Sequence, residues 1–368
     1  MKPTKLPLQA LRLSNFKAVR DSGSIQFTPL TVFIGNNGSG KSSILEALEA
    51  LQTMVISGLD EAMRPWHGFE HIWNKAVDHE KKEGQTGLHS LSNPMVFEVS
   101  GTGIEAVLHV SATEDRNKVF FAFYDRSPFS QSEADVESAM ERFGTFEIFD
   151  RDLRRFVADW QFLNLVPTAM LSPLPQKRSV DRVQLAKDGS NIAQFLLSMG
   201  APDSQAFKGL IETARTVLPY ATDLTPAITS ELDRNVYLRM REQGIVEPLA
   251  GWLLSQGTLR LTALLATFRH PNPPTVVFIE EIENGLDPRA IHLLIEEIRL
   301  FISGGGQVVV TTHSPFLLDL CDLSQIVVVE RNRSGAPEFR RPSKRKLGEW
   351  AKKFTAGRLY TMGNLTKR

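Results

Sequence analysis

Gly35-Asn-Asn-Gly-Ser-Gly-Lys41-Ser42 decides how this chain is read. Glycines at the first, fourth and sixth places leave the backbone free to turn its N–H groups into one concavity and let phosphate oxygens approach closely. Immediately before it, Leu30-Thr-Val-Phe-Ile34 is a short apolar, β-rich run that predicts a buried strand. After it, Ile44, Leu45, Leu48 and Leu51 recur at helical spacing. A glycine-rich loop between a strand and a helix is a phosphate cradle. Gly35, Asn36, Asn37, Gly38, Ser39, Gly40, Lys41, Ser42 and Ser43 are its candidate residues, with the helix N-terminus aimed at the same anion. Lys41 is placed to reach the β- and γ-phosphates and the Ser42 hydroxyl to ligate Mg²⁺. The expected ligands are ATP or GTP and Mg²⁺.

Far downstream, Val276-Val-Phe-Ile279 reads as a second buried strand that delivers Glu280 and Glu281 at its C-terminal end. In a doubly wound sheet that end lies beside the phosphate loop. Taken in order, Glu280 serves the metal and Glu281 orients and deprotonates the attacking water. Read blandly, they are two surface carboxylates. Leu254-Ser255-Gln256-Gly257-Thr258 opens a predicted helix, Asn284-Gly-Leu-Asp287 follows the glutamates, and Thr311-Thr-His313-Ser314 closes a further strand. Singly, these are a helix cap, a turn and an ordinary histidine.

In this order and spacing, behind the phosphate loop, these segments resemble the signature motif, D-loop and H-loop of ABC-type ATPases. The resemblance implies a nucleotide sandwiched between the loop of one subunit and the signature helix of another. Ser255 and the Gly257 amide would then touch the γ-phosphate of the partner's nucleotide. Asp287 would stand at the dimer interface, and His313 would contact the γ-phosphate or the attacking water. The opening Leu11-Arg-Leu-Ser-Asn-Phe16-Lys17-Ala18 looks like that of RecF-, SMC- and OLD-type heads, where the counterpart of Lys17 approaches the nucleotide. Leu253 to Leu261 and Ile279 to Pro288 resemble compact bacterial members of that group. Gln161, ending an apolar run, is the candidate for the family's metal-side glutamine. There is no coiled-coil arm or Cys-x-x-Cys hook, and too little chain after His313 for a Toprim nuclease. Such compact heads often serve anti-phage defence, where the ATPase controls a separately encoded effector. A RecF-like DNA repair ATPase and a scaffold that binds ATP without turnover are the alternatives.

The predicted fold class is α/β, a P-loop NTPase of the ABC/SMC-head type. Its mostly parallel core carries an N-terminal antiparallel β subdomain and a helical lobe. The expected head covers 1–330, with 1–56 and 251–330 as nucleotide-binding core, 57–187 as an inserted β and irregular region, and 188–250 as the helical lobe. Residues 126–150, polar and acidic, read as an excursion. Residues 331–368 form a basic tail, with twelve Lys or Arg against Glu338 and Glu349. That tail reads either as a solvated or docking face or as a phosphate-contacting patch.

Overall charge does not choose between these, because 42 basic and 42 acidic residues cancel. Cys321 is the one cysteine, which excludes an intrachain disulfide and a paired-cysteine zinc site. Without an apolar run long enough to span a bilayer and without a signal-like start, a cytoplasmic setting with no membrane partner is expected. The expected assembly is a homodimer or higher homo-oligomer through composite ATP sites, with nucleic acid as a further candidate partner.

Overall fold

The computed structural model describes residues 6–74, 93–112, 118–125, 149, 151–176, 183–200, 204–230 and 232–365. The excursion expected at 126–150 falls outside the described residues, Phe149 aside. The chain divides into two units. Unit one opens with β1 (Leu8–Phe16), β2 (Val19–Asp21), β3 (Ile25–Gln26), β4 (Leu30–Ile34), α1 (Lys41–Ser57), α2 (Leu59–Met63) and α3 (Phe69–Ile72). It continues with β5 (Met95–Gly101), β6 (Ile104–Ala112), β7 (Val119–Asp125) and α4 (Arg151–Ala158). Unit two takes all but the first residue of β8 (Trp160–Leu163), then β9 (Leu174–Pro175), α5 (Ile192–Ser198), α6 (Gln205–Arg215), β10 (Ala221–Ile228), β11 (Asn235–Glu242) and β12 (Leu249–Ala250). It goes on through α7 (Gln256–Arg269), β13 (Val276–Ile279), α8 (Pro288–Ser303), β14 (Gln307–Thr312) and α9 (Pro315–Asp319). Unit one resumes with β15 (Ile326–Arg331), β16 (Pro337–Arg340), α10 (Lys344–Leu347) and α11 (Trp350–Lys353); α12 (Ala356–Thr361) belongs to unit two.

In unit one, β4 pairs in parallel with β15, matching Val32, Phe33 and Ile34 to Ile326, Val327 and Val328, and β16 adds antiparallel to β15. All five residues of β4 are buried, which is why its run, Thr31 aside, is apolar rather than alternating. Each such Val, Ile or Phe contributes about 1.5–3 kcal/mol by leaving water. The N-terminal antiparallel sheet runs β2-β1-β5-β6-β7, with β3 on β1. The alternation of β5, buried at Met95, Phe97, Val99 and Gly101, shows that one face of this sheet is packed and the other wetter. β1 runs on to Phe16 because β5 supplies partners from Leu8 to Ser14 and β2 pairs Val19 with Phe16.

Unit two holds the parallel pair β13–β14, with Val276 to Ile279 facing Gln307 to Val310, all buried. α7 is buried at every position from Thr258 to Phe268, so it is a core helix rather than an amphipathic one. Residues 188–250, expected as a helical lobe, hold α5 and α6 and then the antiparallel β10-β11-β12 sheet, with β9 also on β11. Pro226 inside β10 disguises that strand, and it is tolerated because β10 is an edge strand.

Residues 331–341, which open the basic segment, are not a loose tail. β16 is sheet, Phe339 packs edge-on against Phe33, and Arg341 donates to the Gln26 and Ser324 carbonyls. Among the described residues, no helix is long and apolar enough to cross a membrane.

Candidate functional site

The phosphate loop in unit one is shaped by three local constraints. Gly35 lies so close to the Val329 carbonyl oxygen that a Cβ would run into it, and Gly40, at φ +110°, would place one 2.7 Å from the Pro337 ring. Gly38 takes φ +71°, a region open to glycine at no steric cost. Lys41 begins α1 and is buried; its ammonium donates to the carbonyls of Gly35 (2.8 Å) and Asn36 (3.0 Å). Ser39 is 5% exposed and its hydroxyl has no hydrogen-bond partner, although buried hydroxyls almost always find one. An orphaned hydroxyl among loop N–H groups fits a phosphate oxygen. Asn36, Asn37, Gly38 and Ser42 are exposed, while Ser43 turns inward.

Lys17 sits in a turn where both it and Asn15 have positive φ, and the turn is held by Asn74, whose amide donates to the Lys17 carbonyl (2.8 Å). Its ammonium pairs with Glu46 of α1 at 2.6 Å and lies 5.1 Å from the centre of the Trp66 ring. The structure thus ties Lys17 to the helix that begins at the loop. Arg331, which the sequence reading did not single out, donates to the Gly38 carbonyl (2.8 Å) and braces the loop tip.

In unit two, Glu280 and Glu281 leave β13 as expected. Glu280 accepts from the Asn164 amide at 3.2 Å. Gln161, the residue expected on the metal side, is elsewhere: its buried amide donates to the Phe162 (3.1 Å) and Leu185 (2.8 Å) carbonyls. Strand alternation explains the exchange. Phe162 stacks on Phe278 at 4.4 Å, so Asn164 shares its side of the chain and Gln161 points the other way.

Glu281 adopts φ +46°, a costly conformation for a residue with a side chain. Two bonds hold it there: its N–H donates to Thr311 Oγ1 (3.0 Å), and its carbonyl accepts from Arg260 (3.0 Å). The carboxylate accepts from the Asn284 amide and lies 3.7 Å from His313 Nε2. Glu283 was also missed. It accepts the His313 backbone N–H, and its second oxygen is buried without a partner. Arg260 crosses from α7 to this loop, donating also to the Leu165 carbonyl. Burial lowers its pKa, against the pull of Glu281 and Glu283. A charged residue inside the apolar Leu259-Arg-Leu run was the signal that could have found it.

Ser255 caps α7, accepting from the Thr258 N–H (3.1 Å), and Gly257 packs so closely that a Cβ would lie 2.5 Å from the Gly285 carbonyl oxygen. Asp287 caps α8, accepting from Arg289 (2.8 Å) and Ala290 (3.2 Å) N–H groups, and is exposed. So unit two brings Glu281, Glu283 and His313 together, with Glu280 beside Asn164 and the capped N-terminus of α7 tied to the Glu281 loop through Arg260 and Gly285.

Comparison with known proteins bears on the fold and the activity. A family model described as "AAA domain, putative AbiEii toxin, Type IV TA system" matches residues 97–319, and an AAA ATPase domain model matches residues 7–86. A Helicobacter pylori protein named ATP/GTP phosphatase is 22% identical over 342 residues, covering 86% of this chain and 87% of its own. An Smc head solved with the C-winged-helix domain of ScpA superposes with a TM-score of 0.58 at 17% identity, covering 93% of this chain and 99% of that one. A Pyrococcus furiosus Smc head with an extended coiled coil, bound to the C-terminal domain of ScpA, gives 0.58 at 14% identity, covering 95% and 99%. These structures share the fold, a P-loop NTPase head of the Smc type. The first family match spans more than half of the chain, which therefore belongs to that AAA-domain family and is an ATPase.

Proposed function

We propose that Gly35 to Ser43 hold the ATP phosphates, with Glu281 as the base that activates water and His313 as its neighbour at the γ-phosphate. The observation that carries this is the posture of Glu281, held at φ +46° with its carboxylate 3.7 Å from His313. The orphaned Ser39 hydroxyl supports the phosphate cradle. Lys41 would exchange its two carbonyl acceptors for phosphate oxygens. Ser42 and Glu280 are oxygen donors of the kind Mg²⁺ takes. Among the described residues no cluster of three or more His, Cys, Asp or Glu could hold a metal alone, so the ion would draw its other ligands from phosphates and water. Bound there, Mg²⁺ would supply charge neutralisation at the transferring phosphoryl group.

The same reading makes the chain a homodimer around nucleotide, with Ser255, Gly257 and Asp287 offered to a second copy. It is supported by Trp252 and Leu253, which are 49% and 64% exposed just before the Ser255 cap. An adjacent exposed apolar pair beside the cap is surface that a second copy would cover. Hydrolysis would then govern a separately encoded effector, in anti-phage defence. The TA system named in the matched family's description supports a link to a partner, and the defence setting rests on the resemblance alone.

Glu281→Gln is expected to abolish steady-state phosphate release while leaving ATP binding intact, and to accumulate dimer with ATP in light scattering. Adding Ser255→Arg should return the protein to monomer. Unchanged turnover in Glu281→Gln would remove the base assignment, and a double mutant that still dimerises would remove the role given to Ser255.

A further inference from the structure

We infer that α10 and α11 form a binding surface for single-stranded nucleic acid, on which unstacked bases lie against Trp350. Between Lys344 and Phe354 five cations, Lys344, Arg345, Lys346, Lys352 and Lys353, are all exposed, opposed by Glu349 alone. Glu349 pairs with Lys352 at 2.8 Å, which leaves the other four cations for phosphates. In a chain of zero net charge this is a local concentration of positive field rather than a reflection of composition.

Two aromatic rings stand in the middle of it. Trp350 and Phe354 are four residues apart and therefore on one side of the helical turn; their ring centres are 5.4 Å apart, and they are 42% and 37% exposed. Large rings left at the surface among cations lose the burial that would otherwise stabilise them. A π-face flanked by Lys and Arg is what a base and its phosphodiester require together. The surface is firmly founded. Leu347 is buried beneath α10, and Arg341, just upstream, is anchored on the Gln26 and Ser324 carbonyls.

Single strands fit better than the other polyanions. In a duplex the base faces are stacked on one another, so exposed rings add nothing and only the phosphates are read. A lipid surface would call for a long amphipathic helix, whereas α10 and α11 have four residues each. The surface uses none of the residues assigned to ATP, so its test can fail independently of the catalytic reading.

The test uses the full chain and fluorescence anisotropy with labelled (dT)12, labelled (rU)12, a 12-base-pair duplex, and vesicles containing phosphatidylserine. Single strands should bind more tightly than duplex, with a log–log salt slope of about −2 to −3, as expected for three or four neutralised phosphates. Trp350→Leu should weaken single-strand binding about tenfold with the slope unchanged, and Trp350→Phe should restore most of it. Reversing Lys344, Arg345 and Lys346 to Glu should flatten the slope. All variants should keep the parent ATPase rate, which reports that they fold. Equal affinity for duplex, an unaltered affinity in Trp350→Leu, preferential binding to vesicles, or no binding at low salt would each overturn the proposal. The two single strands distinguish RNA from DNA.

Discussion

At Glu281 the backbone is held in a conformation that an unrestrained glutamate avoids; the restraint comes from Thr311 and Arg260, and the carboxylate faces His313. Glu283 supports that histidine, because its carboxylate takes the His313 N–H. In the proposed site Glu283 would therefore be a positioning residue that acts through His313. Glu283→Ala should lower kcat about tenfold, the order expected for one lost charged hydrogen bond, with little change in the KM for ATP. Glu283→Gln keeps an acceptor oxygen and should retain most of the rate. Equal losses in both variants, or an effect on KM alone, would contradict this role. The strand–loop–helix setting of Gly35 to Ser43 and the place of the two glutamates after β13 were legible because buried apolar runs and glycine spacing mark them in the residue pattern. Glu283, Arg260 and Arg331 were not, because their partners are main-chain atoms brought near by folding, and a main-chain atom leaves no mark in residue identity. Gln161 was misplaced for a related reason. The parity of β8 decides which side chain faces Glu280, and it favours Asn164.

Among the elements, α7 and α8 are tied by a bidentate ion pair from Arg269 to Glu297, at 2.6 and 2.8 Å, with the Glu297 side chain 7% exposed. Removing one partner of so buried a pair strands the other charge, so Arg269→Ala should destabilise the fold by about 3 kcal/mol in urea denaturation. The double variant Arg269→Met with Glu297→Leu should recover most of that loss. Full stability in Arg269→Ala would show that the pair is idle. Elements with strong periodicity or full burial, such as β4, β13 and α8, could be read from residue pattern to within about two residues. β10 and β11 could not. Their stability comes from pairing across a loop and from β9 and β12, and Pro226 argues locally against a strand that only its edge position permits.

At the scale of the whole molecule, fold and activity follow from order along the chain, which is why a resemblance carried by a few short segments was enough to anticipate them. What separates this chain from a bare ATPase head is where its charge and its apolar surface have been put. The basic C-terminal segment is built into unit one through β16, and the exposed Trp252 and Leu253 flank the start of α7 in unit two. In the proposed dimer, Ser255 at that start attends the partner's nucleotide, while Glu281 attends the chain's own. Gly257 on Gly285, and Arg260 on the Glu281 carbonyl, join the two ends within one chain. ATP turnover should accordingly be sigmoidal, with a Hill coefficient of about 1.5–2, and Arg260→Gln should bring it towards one. Hyperbolic kinetics in the parent protein would show that the link is silent. In such a dimer, with the link in place, the two nucleotides would keep time with each other: neither would be spent until the far one is seated, and a single ATP would arm the machine without discharging it.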